Sequence, residues 1–147
     1  MSEDHAIATL VLHGSVVFFA GMLAGLPYGA LRVRGGTPES LNNWRVAHVQ
    51  NLQNGLLLLI AGACTSYLDL AAAAAAVMVY SLVIAAYTDM GAWLIRPITG
   101  HTGLLPTPPI ANVAAFILFS VTLLGQFIGV AIFIYGAFER WASQGAP

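Results

Sequence analysis

The chain of 147 residues has no lysine and a single cysteine, and only 7% of its residues are charged. A soluble domain carries roughly 25% charged residues because its surface must face water. Here 59% of residues are hydrophobic and the mean hydropathy is +0.81, so the composition describes an integral membrane protein. Five arginines stand against six acids, for a net charge of −1. No basic footprint exists for nucleic acid or another polyanion. Cys64 lies alone in an apolar run, which excludes a disulfide framework and a CxxC motif and leaves a buried thiol. The four histidines (5, 13, 48 and 101) show no HxxxH spacing, and a zinc site takes three or four ligands. The N-terminal MSEDHAIATL carries acids where a secretory leader has Lys or Arg, so the first apolar segment is expected to be a retained span.

What is present is apolar sequence in lengths that suit a bilayer, about 20 residues per crossing. Four spans are expected in one membrane domain over residues 1–147: Ala6 to Leu31, Trp44 to Tyr67, Ala71 to Ile95, and Ile110 to Phe138. Each is helical, since open sheet edges cannot be satisfied in lipid. The fold class is therefore all-α, a four-transmembrane-helix bundle. RVRGGTPESLNN reads as a polar loop after span one, and RPITGHTGLLPTPP, with four prolines, as a loop after span three. One or two residues separate spans two and three, a tight hairpin. Arg32, Arg34, Arg45 and Arg96 flank the two loops, which places those loops in the cytoplasm and both termini outside. Gly21 with Gly25, and Gly125 with Gly129, form GxxxG pairs, read as close packing within one bundle rather than a subunit seam.

Polar groups inside spans are costly, and by default they mark an inward-facing site. Span one holds His13; span three holds Tyr80, Tyr87 and Asp89; span four holds Asn112 and Gln126. Span two begins WRVAHVQNLQNG. On a helix, His48, Asn51, Asn54 and Gln50 cover an arc of about 160°, with Val49, Leu52, Leu56 and Leu59 opposite. Gln50 and Gln53 fit a helix still emerging from the headgroups. His48 fits a metal ligand, because one imidazole suffices to hold a haem from the proximal side and leaves the distal position open. Asp89 is open to two readings, an interfacial carboxylate paired with Arg96 or a buried general acid or base. His13 either packs against a neighbouring helix or lines a cavity with His48.

WRVAHVQNLQNG resembles the W-x-x-A-H-x-x-x-x-x-N-G signature of the styrene oxide isomerases, and LHG in span one is similar to their histidine–glycine pair. The resemblance implies a small four-helix membrane protein carrying haem b in a bacterial inner membrane, with homotrimeric assembly. It implies that His48 is the axial haem ligand (the metal site) and that Asn54 touches the substrate. In the third span Ala85 stands where those isomerases have an aspartate, and Trp93 where they have a tyrosine. YTDMGAWLIRPITG instead resembles the related hydroxylaminobenzene mutases, with their G-A-x-x-x-x-P-I-x-G pattern.

That branch implies an intramolecular rearrangement of an arylhydroxylamine to an aminophenol. Ferric haem would serve as a Lewis acid, with Asn54, Asp89 and Tyr87 as catalytic residues and a small aromatic substrate in an apolar pocket. The alternative within the resemblance is rearrangement of an aryl epoxide to an aldehyde. Two other functions fit the residues: an electron-transfer cytochrome using His13 and His48 as paired axial ligands, and a small transporter with Asp89 or His48 as the coupling group.

Overall fold

Ser2 opens the first helix. Its side chain accepts the His5 amide at 3.4 Å, ahead of Glu3 and Asp4, whose charges suit the positive end of the helix dipole. In the computed structural model, which describes residues 1–145, this helix α1 runs Glu3–Arg34. It stops at Gly35, whose φ of 75° is left-handed, and the Gly36 amide closes back on the Leu31 carbonyl at 2.8 Å. The next helix, α2, begins almost at once and runs Pro38–Cys64. Thr37 caps it by accepting the Ser40 amide at 3.2 Å, and Pro38 takes the first helical position, where its missing N–H costs nothing. The expected loop from Arg32 to Asn43 is thereby corrected to Gly35, Gly36 and Thr37. The TPES stretch within it is a helix start, not a turn.

Two further boundaries differ from expectation. The hairpin between the second and third helices is a connector, Thr65–Ala71, that opens with a 3-10 turn over Thr65–Tyr67. It is seated rather than loose: the Asp69 amide donates to the Gly136 carbonyl at 3.0 Å, and the Met1 ammonium to the Ala72 carbonyl at 3.1 Å. Helix α3 runs Ala72–Thr99 and carries Pro97 inside it. That proline sits in the last turn, where the lost N–H frees one carbonyl, and the helix continues to a left-handed Gly100. Helix α4 runs Ile110–Gly145, past the expected end at Phe138. Ala146 and Pro147, the end of the expected tail, lie outside the described residues.

Helix α1 packs along α2, and α3 along α4; α2 and α3 join the two pairs, and α4 rests chiefly on α3. The first pair is in backbone contact. A Cβ on Gly55 would lie 2.5 Å from the Phe18 nitrogen, and one on Gly21 would lie 2.7 Å from the Leu52 nitrogen. Gly21 and Gly25 thus face α2, while Gly125 and Gly129 face Ser81 and Leu82 of α3. Both GxxxG pairs serve contacts within one bundle, as expected. Leu10, Val17, Leu58, Met78 and Val79 fill the core, while Phe19, Leu26, Ile60, Ile84, Phe127 and Ile134 lie exposed on the outside.

Helices α1, α3 and α4 are long and apolar enough to cross a membrane. The expected second span, on α2, is not among them. At 27 residues, about 40 Å, α2 has the length. Its first half is rich in amides and charges, and three of the helix's six amide side chains turn inward: Asn43, Asn51 and Asn54 are buried there with Ala47 and Leu58.

Candidate functional site

The polar arc of α2 is divided between two neighbours. His48 leans toward α1, where its Nδ1 lies 2.7 Å from the Gly21 carbonyl oxygen. A carbonyl can only accept, so Nδ1 carries the proton and donates it, and the lone pair is on Nε2. Gly25 makes the pose possible: a Cβ there would meet Nδ1 at 2.9 Å and Cε1 at 3.0 Å. An imidazole with one nitrogen fixed by a backbone carbonyl and the other free is the usual preparation of a histidine that binds a metal.

Asn54 and Gln50 turn the other way, toward α3 and α4. Asn54 Nδ2 donates to Asp89 Oδ2, and both side chains are buried at 7% exposure. The pair borders a groove of about 350 Å³ walled by Gln50, Trp93, Phe119 and Thr122. Trp93 and Phe119 meet edge to face, with centroids 5.1 Å apart and planes at 75°, which fixes a flat apolar wall beside the carboxylate. Thr122 is held in turn by Thr88 at 2.9 Å. Of the two readings of Asp89, the pairing with Arg96 is not formed. Arg96 Nε donates to Asn43 Oδ1 at 2.9 Å instead, because α2 starts early enough to carry Asn43 alongside the end of α3.

Tyr87 is not part of this groove. Two residues from Asp89 on a helix, it faces about 160° away, and His13 Nδ1 lies 3.0 Å from its hydroxyl, with the rings edge to face at 5.6 Å and 81°. His13 therefore binds a neighbouring helix, the first of its two readings. It is also far from His48. His48 packs on Gly25, twelve residues along α1 from His13, about 18 Å of helix, whereas two nitrogens on one metal stand about 4 Å apart, twice a metal–imidazole bond. Within one chain, His13 and His48 therefore cannot share a metal. Asn51, midway along the arc, is fully buried, and among the described residues neither its Nδ2 nor its Oδ1 has a partner. Asn112 is a loop anchor: its Oδ1 accepts from the Gly103 amide at 2.9 Å, and its Nδ2 donates to the Leu105 carbonyl at 2.7 Å.

Gln50, Asn54, Asp89 and Trp93 were legible as polar or departing residues of the second and third spans. Phe119 and Thr122 were not, because on an apolar helix such as α4 nothing in the pattern tells a groove wall from a lipid face.

Curated proteins compared with the chain show no match in sequence. The family model described as styrene oxide isomerase matches residues 7–138, which takes in α2 and α3 whole, most of α1 and α4, and every residue of the divided polar arc. By that match over most of its length, the chain belongs to the styrene oxide isomerase family.

Proposed function

We propose that this isomerase is an integral membrane enzyme that rearranges an arylhydroxylamine to an aminophenol, with haem b held by His48. The observation that carries the choice of reaction is the Asn54–Asp89 pair on the aromatic-walled groove. In that rearrangement the N–O bond breaks, the hydroxyl becomes attached to a ring carbon, and the proton from that carbon ends on nitrogen. Electrons and water are conserved. Something must carry the proton, and Asp89 is the titratable group on the groove wall, aligned by Asn54. Trp93 and Phe119 hold the ring, and Gln50 offers a further hydrogen bond at the mouth.

The donor set suits haem: a neutral imidazole with its tautomer fixed by Gly21 and its Nε2 available. Bound there, ferric haem would supply a Lewis acid for the substrate oxygen. His48 and the groove open on different edges of α2, about 160° apart when measured to Gln50. A site using both would be completed by a neighbouring copy, in keeping with an oligomer such as the homotrimer that the resemblance implies. The inward amides let α2 cross the membrane despite its composition, because its outer face keeps Val49, Leu56, Leu57 and Ile60.

A second reading, rearrangement of an aryl epoxide to an aldehyde, is favoured by the name of the matching family. It needs an internal hydride shift and no proton carrier. Purified protein, supplied with haem during expression, is offered phenylhydroxylamine and styrene oxide in parallel, and its absorption is recorded beside His48→Ala. The expected result is an aminophenol, with a Soret band that is lost in the variant. Aldehyde from the epoxide, with phenylhydroxylamine untouched, would establish the second reading. A wild-type protein without a Soret band would overturn the haem assignment.

A further inference from the structure

Arg96 is half-buried in the last turn of α3, and among the described residues its guanidinium meets one partner, the neutral Asn43 amide oxygen on Nε. Four of its five N–H donors are left. They border a cavity of about 420 Å³ whose other walls include Trp93, Leu104, Phe116, Phe119 and Leu123. A charge half out of water among apolar walls, with no charge opposite it, has an unmet demand for an anion. Offsetting the negative end of α3 meets part of that demand, but it does not account for the cavity that Arg96 borders.

The cavity is not separate from the groove already described. Trp93, Phe119 and Leu123 line both, so the two form one elongated chamber with a polar group at each end. Asp89 and Arg96 are seven residues apart on α3, two turns on one face and about 10 Å. Along that stretch of helix, one benzene ring bearing polar groups at opposite positions has room to lie with a polar wall at each end. The outer wall is firm: Asn112 pins Gly103, which also borders the cavity.

Building on the aryl isomerase function proposed above, we infer that Arg96 recognises a carboxylate on the substrate ring, para to the group that rearranges. The planar guanidinium fork matches a carboxylate with two parallel hydrogen bonds. With Nε occupied by Asn43, the fork is held in place before the ligand arrives. Arg96 thus sets specificity and stays clear of the chemistry, which occurs at the far end of the chamber.

The test uses the haem-loaded full-length protein in detergent. Calorimetric titration compares 4-ethylbenzoate with the neutral 4-ethylbenzamide, neither of which can rearrange. The acid should bind the wild type at least tenfold tighter than the amide, Arg96→Gln should erase that preference, and Arg96→Lys should restore it only in part. In turnover, Arg96→Gln should raise KM for 4-hydroxylaminobenzoate at least tenfold relative to KM for phenylhydroxylamine. Equal binding of acid and amide by the wild type overturns the inference, as does a preference that survives in Arg96→Gln. Repetition in nanodiscs with and without phosphatidylglycerol separates sources of the anion. An acid preference abolished by the anionic lipid assigns Arg96 to a headgroup phosphate and also overturns the inference. If no arylhydroxylamine or epoxide turns over, the isomerase reading falls while the titration still decides on Arg96. If Arg96→Gln fails to fold, the wild-type comparison of acid with amide decides alone.

Discussion

A Cβ on Gly25 would press into the His48 ring from the side that also donates to Gly21, so this small residue controls a neighbour's lone pair. Gly25→Ala should turn the ring and release its tautomer, lowering haem occupancy at least tenfold, as loss of a supporting contact to a metal-bound histidine does; Soret absorbance per protein measures it. Asp89→Asn keeps an acceptor for Asn54 and removes only the proton carrier. Turnover should fall by about 10²–10⁴ while the spectrum is retained; a spectrum lost along with activity would make Asp89 structural. Asn51 presents the opposite case, a buried amide without a partner. Replacing it with leucine, of similar size, should raise thermal stability by roughly 1 kcal/mol, because the unpaired amide no longer opposes folding. His48 and Asn54 were legible in the sequence because a polar side chain in a span demands an explanation. The partner of Asp89 was not, because Arg96 is near it along the chain, whereas Asn54 lies 35 residues away on another helix and meets it only through the packing of α2 on α3.

At the level of helices, backbone contact between α1 and α2 sets the pose of everything on α2. Gly55→Ala places a methyl 2.5 Å from the Phe18 nitrogen, a main-chain atom that cannot rotate aside. A cost of about 1–3 kcal/mol or more follows from overpacking. The thermal midpoint should drop, whereas alanine at Gly29, with open space around it, should leave it near the wild-type value. Helix existence was readable from apolar length alone, and the ends were less so. Pro38 and Pro97 both look like breakers, yet the first occupies the position where a proline suits a helix start and the second falls in a last turn. Cap geometry decides such cases, and it depends on which neighbours are helical. The GxxxG pairs show the same dependence, since the motif states that a close contact forms and leaves the partner open.

For the whole molecule, the division of α2 into a histidine edge and a groove edge predicts complementation. His48→Ala and Asp89→Asn, each inactive alone, should regain part of the wild-type rate when co-expressed, because mixed oligomers contain an intact histidine beside an intact groove. Rates no higher than those of the two single variants would place the complete site within one chain. Further along α2, past the groove, lies an apolar hollow of about 190 Å³ lined by Leu57, Ile60, Leu82 and Phe133. In the membrane placement proposed above, this hollow lies at mid-helix, where the surrounding medium would be hydrocarbon rather than buffer. An uncharged arene therefore meets the enzyme at the concentration it reaches in lipid, which its partition coefficient sets. The apparent KM, expressed per volume of buffer, should rise in proportion as empty vesicles are added, while kcat stays constant.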